Sequence, residues 1–569
     1  MSVILRGVIL QDRKRVLSMA LTMKAWVKSG LVLGLIGGLL AGCTGGAGSE
    51  QAEGEGSRGN ITSTIYDRGA VPSGMGTIED NMWSKWINEN GPANVKYTAV
   101  PRWESQSKLN VLFASGSAPD VIFEFGTPIR NTLFNQKQLM PLDELIENSS
   151  VEYKALMEKY PQLKKAGIKS DGKLYEVGRM NEVFPLTSFF IREDWLEKLN
   201  LEVPTNEEEM LAVAKAFTEN DPDGNGANDT YGIGGFQFGD TAGLFRYMFN
   251  ANWVNVENGE IVVGPNHMKE ATAFKRALFE AGVVDKDFLT DKDGAKAKQD
   301  FLNGKIGMYA AMTSDYTGFA AKELDTLMQN VPEAKLKVIA LPTTSVGQYT
   351  MVWNNPVQMT AVVNARAKNP EAVIKYIDFL TKTESGRTFK NGFEGTHYTL
   401  NDQGCPRISD QEKYKQEISW AGDYAMMYSR LEEGKCGYTE MLFSEEIPSQ
   451  KEGLRLFKEA REVYMTDLPV GEGVTHSEHM PQLPKELQVK LTNVTTAIND
   501  IFTRSIIGGS KYTVEQAAAE AQQKWEQGGG PEIETWYKDW WSKEKDNVLV
   551  WDDFYEIYEQ QQADFKKSE

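Results

Sequence analysis

The run DPDGNGANDTYG, from Asp221 to Gly232, sets oxygen-bearing side chains at alternating positions. Counted as a twelve-residue loop, Asp221, Asp223, Asn225 and Asp229 occupy positions 1, 3, 5 and 9. Gly226 stands at position 6, where a calcium loop turns sharply, and position 7 offers the Ala227 carbonyl. Calcium takes six to eight hard oxygens around one centre. Three carboxylates this close repel one another unless a cation sits between them. Position 12 departs from the pattern: it holds Gly232 where the usual loop has a bidentate Glu. Thr230, a carboxylate from elsewhere or water would have to complete the shell. The expectation is a structural calcium ion, weighed against an acidic solvent turn.

A second chemistry needs flat rings beside planar polar groups. Sugars present C–H faces that rings cover and hydroxyl edges that amides, carboxylates and guanidinium groups take. Trp353-Asn354-Asn355 and Trp420-Ala421-Gly422-Asp423-Tyr424 have that composition. Glu394, His397 and Tyr398 form a third short cluster. Ordinary packing is the competing assignment for each of these residues.

Catalytic signatures are missing. The histidines are His267, His397, His476 and His479, and no HExxH, GxSxG or Walker A string occurs. His476 and His479 read as surface residues of a loop. Gly508-Gly-Ser-Lys511 lacks the spacing of a phosphate-binding loop. A glycoside hydrolase needs only two carboxylates at a set separation, and 80 acidic residues leave that alternative open. The reading preferred here is a binding protein, not an enzyme.

Met23 opens a short basic stretch with Lys24 and Lys28, followed by an apolar run from Leu31 to Leu40 and then Ala41-Gly42-Cys43. That run is too short to span a bilayer as a mature helix. The ending resembles the bacterial lipobox, in which the cysteine is acylated and becomes the new N-terminus. Residues 1–42 are therefore expected to be removed, whether translation starts at Met1 or Met23. Cys43 would anchor the chain at the outer face of the cell membrane, and residues 43–60, rich in Gly, Ser and Glu, would act as a flexible tether. Cys405 and Cys436 remain, and export would permit a disulfide between them. The net charge of −19 disfavours nucleic acid as a partner.

The elements that would position these residues alternate. Ile61–Tyr66 reads as a strand, Met82 to Ile87 as a helix, Asn94–Val100 as a strand, Lys108 onward as a helix, and Val121–Phe125 as a strand. This order implies a largely parallel α/β sheet, and ligands of such sheets bind beyond the carboxyl ends of the strands. Asp67, Arg68, Glu124 and Phe125 stand at two of those ends. Thr205 with Glu208 reads as a capping box, and Asn369-Pro370 as a helix start. Gly471–Pro484 reads as a long loop.

Six strings, in order, resemble the bacterial extracellular solute-binding proteins: ASGSAPDVIF, LMPLDELI, DGKLYEVG, FFIREDWLEKLNLEVPT, FLNGKIGMYAAM and NPEAVIKYIDFLTKTESG. IYDRG, PRWESQSKLNVLFASG and GFEGTHY are similar to the large lipoproteins of Paenibacillus-like Gram-positive bacteria. The resemblance runs from about Ile61 to the C-terminus. It implies a two-lobed, periplasmic-binding-protein-like (type II) α/β fold with hinge crossings. Lobe 1 would comprise 61–180 plus about 360–430, and lobe 2 would comprise 181–355 plus about 431–569. It implies a monomer that holds an oligosaccharide between the lobes and delivers it to ABC permease subunits served by a separate ATPase. A single calcium loop like that at Asp221 also occurs in the alginate-binding relatives. A sugar sensor for a two-component system would share this fold.

Overall fold

The computed structural model describes residues 58–235, 243–433 and 436–568. Cys43, the export signal and the tether as far as Ser57 lie outside the described residues. Among the described residues no helix is long and apolar enough to cross a membrane.

Two sheets organise the chain. The first contains β1 (Gly59–Asp67), β2 (Ala93–Pro101), β3 (Val121–Phe123), β4 (Glu176–Met180) and β11 (Val357–Val363) in the order β2-β1-β3-β11-β4. β1 runs parallel to both β2 and β3, whereas β11 is antiparallel to β3 and β4. Central strands are buried on both faces, which explains the apolar run of β11. The helix Met82–Asn90 connects β1 to β2 and is started by a capping box between Asn81 and Ser84. It buries Trp83 and Ile87 in the lobe-1 core, as their spacing predicts. The helix Pro370–Thr381 covers the same core, with Asn369 as its cap and Pro370 in its first turn.

The second sheet contains β5 (Ser188–Arg192), β6 (Tyr231–Ile233), β9 (Ile306–Ala311) and β10 (Leu336–Val338) in the order β10-β5-β9-β6. Its core is dense in rings, among them Phe189, Phe190, Trp195, Phe217 and Phe274. The helix Glu207–Glu219 starts one residue later than Thr205 suggests. Asn206 is the cap, accepting from the Glu209 N–H at 3.0 Å, while Thr205 donates to the Glu209 carboxylate. A smaller core joins the hairpin of β7 (Val254–Glu257) and β8 (Glu260–Val263) to helices Lys485–Ile507, Val514–Gln527 and Gly530–Glu544. Trp525 stacks there on Trp253 with ring centroids 5.9 Å apart.

Three stretches of chain cross between the two sheets. Residues 181–187 and 350–356 run antiparallel, with Leu186 N–H donating to the Val352 carbonyl at 2.9 Å and Asn354 N–H to that of Phe184 at 3.0 Å. The third crossing joins them where Arg430 N–H donates to the Met180 carbonyl at 2.9 Å. The Glu182 carboxylate holds the first crossing: it accepts the Thr439 N–H at 2.9 Å and pairs with Arg461 of the helix Pro448–Tyr464. The last helix, Trp551–Ser568, lies against the hinge. Its Gln561 accepts the Val183 N–H at 2.9 Å and donates to the Asn181 carbonyl at 3.0 Å. Cys405 and Cys436 form a disulfide with Cα atoms 6.0 Å apart, joining the hairpin Tyr398–Leu400/Pro406–Ile408 to the third crossing.

Candidate functional site

β1 and β2 are in register from Gly59 beside Ala93 to Asp67 beside Pro101, so both strands end level. Arg68 and Arg102 therefore leave the sheet side by side, and β3 delivers Glu124 and Phe125 to the same edge. The Tyr66 and Phe125 rings stack there with centroids 5.8 Å apart. Glu124 is buried beneath them. It accepts the Tyr66 hydroxyl at 2.7 Å and the Gly126 N–H at 2.6 Å, which fixes the stack from below. Burial, and then the charge of Glu124, push the Tyr66 hydroxyl pKa up, so this phenol stays protonated.

Guanidinium groups surround the stack. Arg102 lies 4.8 Å from the Tyr66 ring centroid, 5.6 Å from that of Phe125 and 5.2 Å from that of Trp103. Arg68 lies 5.7 Å from the Tyr66 ring and grips Asp423 through two bonds of 2.7 and 2.9 Å. Arg179, only 4% exposed, approaches Phe125 from the end of β4 at 5.7 Å. It donates to the Gln358 side-chain oxygen at 2.8 Å and to the Ala425 carbonyl at 3.3 Å. Trp103 is 83% exposed, the largest open apolar face described in the chain. Rings, guanidinium groups and a side-chain amide thus converge at the strand ends beside the hinge.

The strand-end residues Asp67, Arg68, Glu124 and Phe125 are brought together at this edge. Trp353, Trp420 and Tyr424 are not, because the structure packs all three inside. Trp353 is 2% exposed in the hinge, its indole N–H donating to the Tyr464 carbonyl at 3.3 Å. Trp420 is 6% exposed and bonds the Gln416 carbonyl within lobe 1. The Tyr424 hydroxyl is buried between Asn81 and the Ile78 carbonyl. Asn354 is taken up by the hinge: its amide accepts the Phe184 N–H at 2.9 Å and donates to the Glu182 carbonyl at 2.7 Å. Glu394 is exposed and Tyr398 buried, both in the hairpin region of lobe 1. Sequence reasoning passed over Arg102, Trp103, Arg179 and Gln358. The first two were within reach, since PRW follows a strand as YDR does.

His476 and His479 are not surface residues. They are largely covered, with His476 4.9 Å from the Trp551 ring and His479 bonded to the Asn355 side-chain oxygen at 2.9 Å. Two concave regions lie away from the ring stack. One, of about 750 Å³, is at the opposite, amino ends of β1 and β2, near Asn60, Lys96 and Asp120. The other, of about 870 Å³, lies between the lobes and is lined by Lys159, Glu182, Arg461 and Gln561.

The Asp221 loop closes on itself. Asn225 donates its amide to Asp223 at 2.8 Å and to Asp229 at 3.0 Å, and Lys305 pairs with Asp229 at 2.7 Å. Asp221 accepts the N–H groups of Asn225 and Gly226, and Gly226 adopts φ +79°, the left-handed turn expected at that position. Burial, together with a hydrogen bond shared with Asp221, raises the Asp223 carboxyl pKa. The Thr230 hydroxyl is buried and donates to the Phe217 carbonyl at 2.7 Å, facing away from the loop centre. At Gly232 a Cβ would lie 2.4 Å from the Ala214 carbonyl oxygen, so no longer side chain fits at loop position 12. Among the described residues no three His, Cys, Asp or Glu side chains are gathered as a ready metal site. The loop carries the right kind of oxygens for calcium, with the Asn225 amide and the Lys305 ammonium group bonded among them.

Residues 75–387 match the model of the bacterial extracellular solute-binding proteins. The chain belongs to that family. It is 23% identical to Lipoprotein LipO of Bacillus subtilis (strain 168) over 509 residues, covering 86% of this chain and 94% of the relative. It is 25% identical to the polygalacturonan/rhamnogalacturonan-binding protein YtcQ of the same organism over 383 residues, 62% of this chain and 71% of the relative. Two solved structures share the fold. An HMO-binding, ABC-transporter-associated solute-binding protein from Bifidobacterium longum infantis aligns with TM-score 0.59 at 17% identity, over 86% of this chain and 99% of that one. The alginate-binding protein AlgQ2, solved without calcium ion, aligns with TM-score 0.54 at 21% identity, over 85% and 98%. The family member is thus α/β and two-lobed, but its sheets are mixed and not largely parallel, with β11 running against β3 and β4, and β5 against β9 and β10.

Proposed function

We propose that this solute-binding protein captures an oligosaccharide between its lobes and delivers it to the permease of an ABC importer whose ATPase is a separate chain. The observation that carries this reading is the Tyr66–Phe125 stack with Trp103 open beside it, set at the carboxyl ends of β1, β2 and β3 and against the hinge. Rings cover sugar faces, while Arg68, Arg102, Asp67 and Gln358 stand ready for hydroxyl edges. Closure of the lobes about the crossings would expel water and complete the site from lobe 2. YtcQ, AlgQ2 and the HMO-binding protein are named for carbohydrates of different kinds, so what carries over is the class of cargo.

On this reading the chain works as a monomer and is held at the outer face of the cell membrane by lipid on Cys43. Asp221, Asp223, Asn225, Asp229 and the Ala227 carbonyl would hold a calcium ion that braces lobe 2, far in the chain from the cargo-facing strand ends. The deciding experiment is a thermal-shift screen of the purified protein against plant and microbial oligosaccharides. At least one should raise the unfolding temperature and bind in a calorimeter without being cleaved. Stabilisation by a peptide or amino acid alone, or release of new reducing ends, would overturn the reading.

A further inference from the structure

Of the four arginines around the ring stack, Arg68, Arg102, Arg179 and Arg430, only Arg68 is ion-paired with a carboxylate among the described residues. The carboxylates nearest the other three are bonded to other groups, except that Glu124 Oε2 is buried without a hydrogen-bond partner. Asp423 is held by Arg68 through two bonds. Glu124 is buried under Tyr66 and Gly126. Asp67 accepts the Gly69 N–H at 2.8 Å, and Glu478 accepts the Asn355 amide at 2.7 Å. Arg102 makes ring contacts only, and its Nε is buried without a hydrogen-bond partner. Arg179 bonds neutral oxygens only. Arg430, one strand over at the third crossing, contacts the Tyr438 ring at 5.9 Å. Among the described residues, none of these three has a carboxylate within ion-pair distance.

A buried guanidinium group without a counter-ion is costly, and a second positive charge beside it adds to the cost. Arg179 is such a group. Burial, and then the neighbouring Arg430, push its pKa down, against Tyr438, Asp423 and Glu478. A protein that only needed hydroxyl donors here could use amides, at no such cost. The planar fork of arginine instead matches a carboxylate edge, and the exposed ring of Trp103 supplies the platform for the sugar that bears it.

Building on the oligosaccharide reading above, we infer that the cargo is acidic, an oligosaccharide of uronic acids whose carboxylates are received by Arg102, Arg179 and Arg430.

The test is calorimetry at fixed calcium with short oligouronates of galacturonate, glucuronate and mannuronate, each paired with the same oligomer after reduction of its carboxyl groups to alcohols. At least one oligouronate should bind about tenfold or more tightly than its reduced partner, and the difference should shrink as salt is raised. In Arg102→Gln that preference should fall to about twofold or less, while the empty variant unfolds at the wild-type temperature. Arg102→Lys should restore part of it. Arg430→Gln should behave like Arg102→Gln. If reduced or other neutral oligosaccharides bind as tightly as the uronates, or sulfated ones bind while uronates do not, the uronate assignment is overturned and the oligosaccharide reading stands. If no oligosaccharide of any set binds, both fall together.

Discussion

Trp353 and Asn354 are neighbours in the chain and hold the hinge in different ways. Trp353 fills space: its ring lies about equally far, 6.2 Å, from those of Tyr555 and Tyr558 on the last helix. Asn354 satisfies two backbone groups on the opposite crossing, the Phe184 N–H and the Glu182 carbonyl. Their loss should therefore differ in size. Trp353→Ala opens a cavity and should cost about 3–5 kcal/mol, whereas Asn354→Ala strands a half-covered N–H and carbonyl and should cost about 1–3 kcal/mol. Denaturant unfolding measures both. Trp353→Phe separates packing from cargo contact: it should lower stability yet leave oligosaccharide affinity within about twofold. A large loss of affinity with unchanged stability would return Trp353 to the binding site.

The Asp221 loop is an element whose state depends on what neutralises it. Asn225 bonds Asp223 and Asp229, and Lys305 pairs with Asp229. Calcium would replace those donors and needs the carboxylates ionised, so its binding should strengthen as pH rises through the carboxyl range. Calcium should raise the unfolding temperature of the wild-type protein and give a calorimetric signal absent from Asp223→Ala. Equal heats from the two proteins would show that the loop is only an acidic turn. The turn of this loop, with Gly226 in the left-handed region, was legible because its residues are local and their spacing is the signal. The lobe-1 strands and the Asn369 cap were legible for the same reason. The rest depends on partners far away in the chain. Nothing in the spacing of Trp353 or Trp420 says whether a ring faces a cleft or a core. Gln561 reaches Asn181 and Val183 from some 380 residues away. Lys159 and Lys165 pair with Asp564 and Asp553 of the same last helix, at 2.7 and 3.0 Å. Amphipathic patterning gives that helix a buried face and is silent on what it is buried against.

At the scale of the molecule, the segment Gly471–Pro484 links parts that the two sheets keep apart. His479 bonds Asn355 in the hinge and packs near Phe554 of the last helix; the Glu478 carbonyl accepts the Thr127 hydroxyl of lobe 1 at 3.5 Å; and Glu472 pairs with Arg246 of lobe 2. These groups make stability depend on pH in opposite senses. Desolvation lowers His476 to about 4 and His479 to about 3 from the ordinary 6.5, with the charges of His476 and Arg130 adding to the effect on His479. Both are neutral in the fold, so as pH falls below 6.5 the unfolded chain binds protons that the folded chain does not, and stability drops until about pH 3. Burial raises Glu472 to about 7 from 4.5, against the pull of Arg246. Its contribution is fully present below pH 4.5 and is lost as pH rises through about 7. Two histidine protons outweigh one glutamate proton across the overlap, so the unfolding temperature should rise with pH and level off at about 7. His479→Gln keeps a hydrogen bond to Asn355 and removes one of the two opposing protons. The remaining histidine and Glu472 then nearly cancel between pH 4.5 and 6.5, and the profile should flatten there with its maximum moved to lower pH. Unfolding scans of the two proteins across that range decide the matter. An unchanged slope in the variant would mean that the acid sensitivity arises outside this segment.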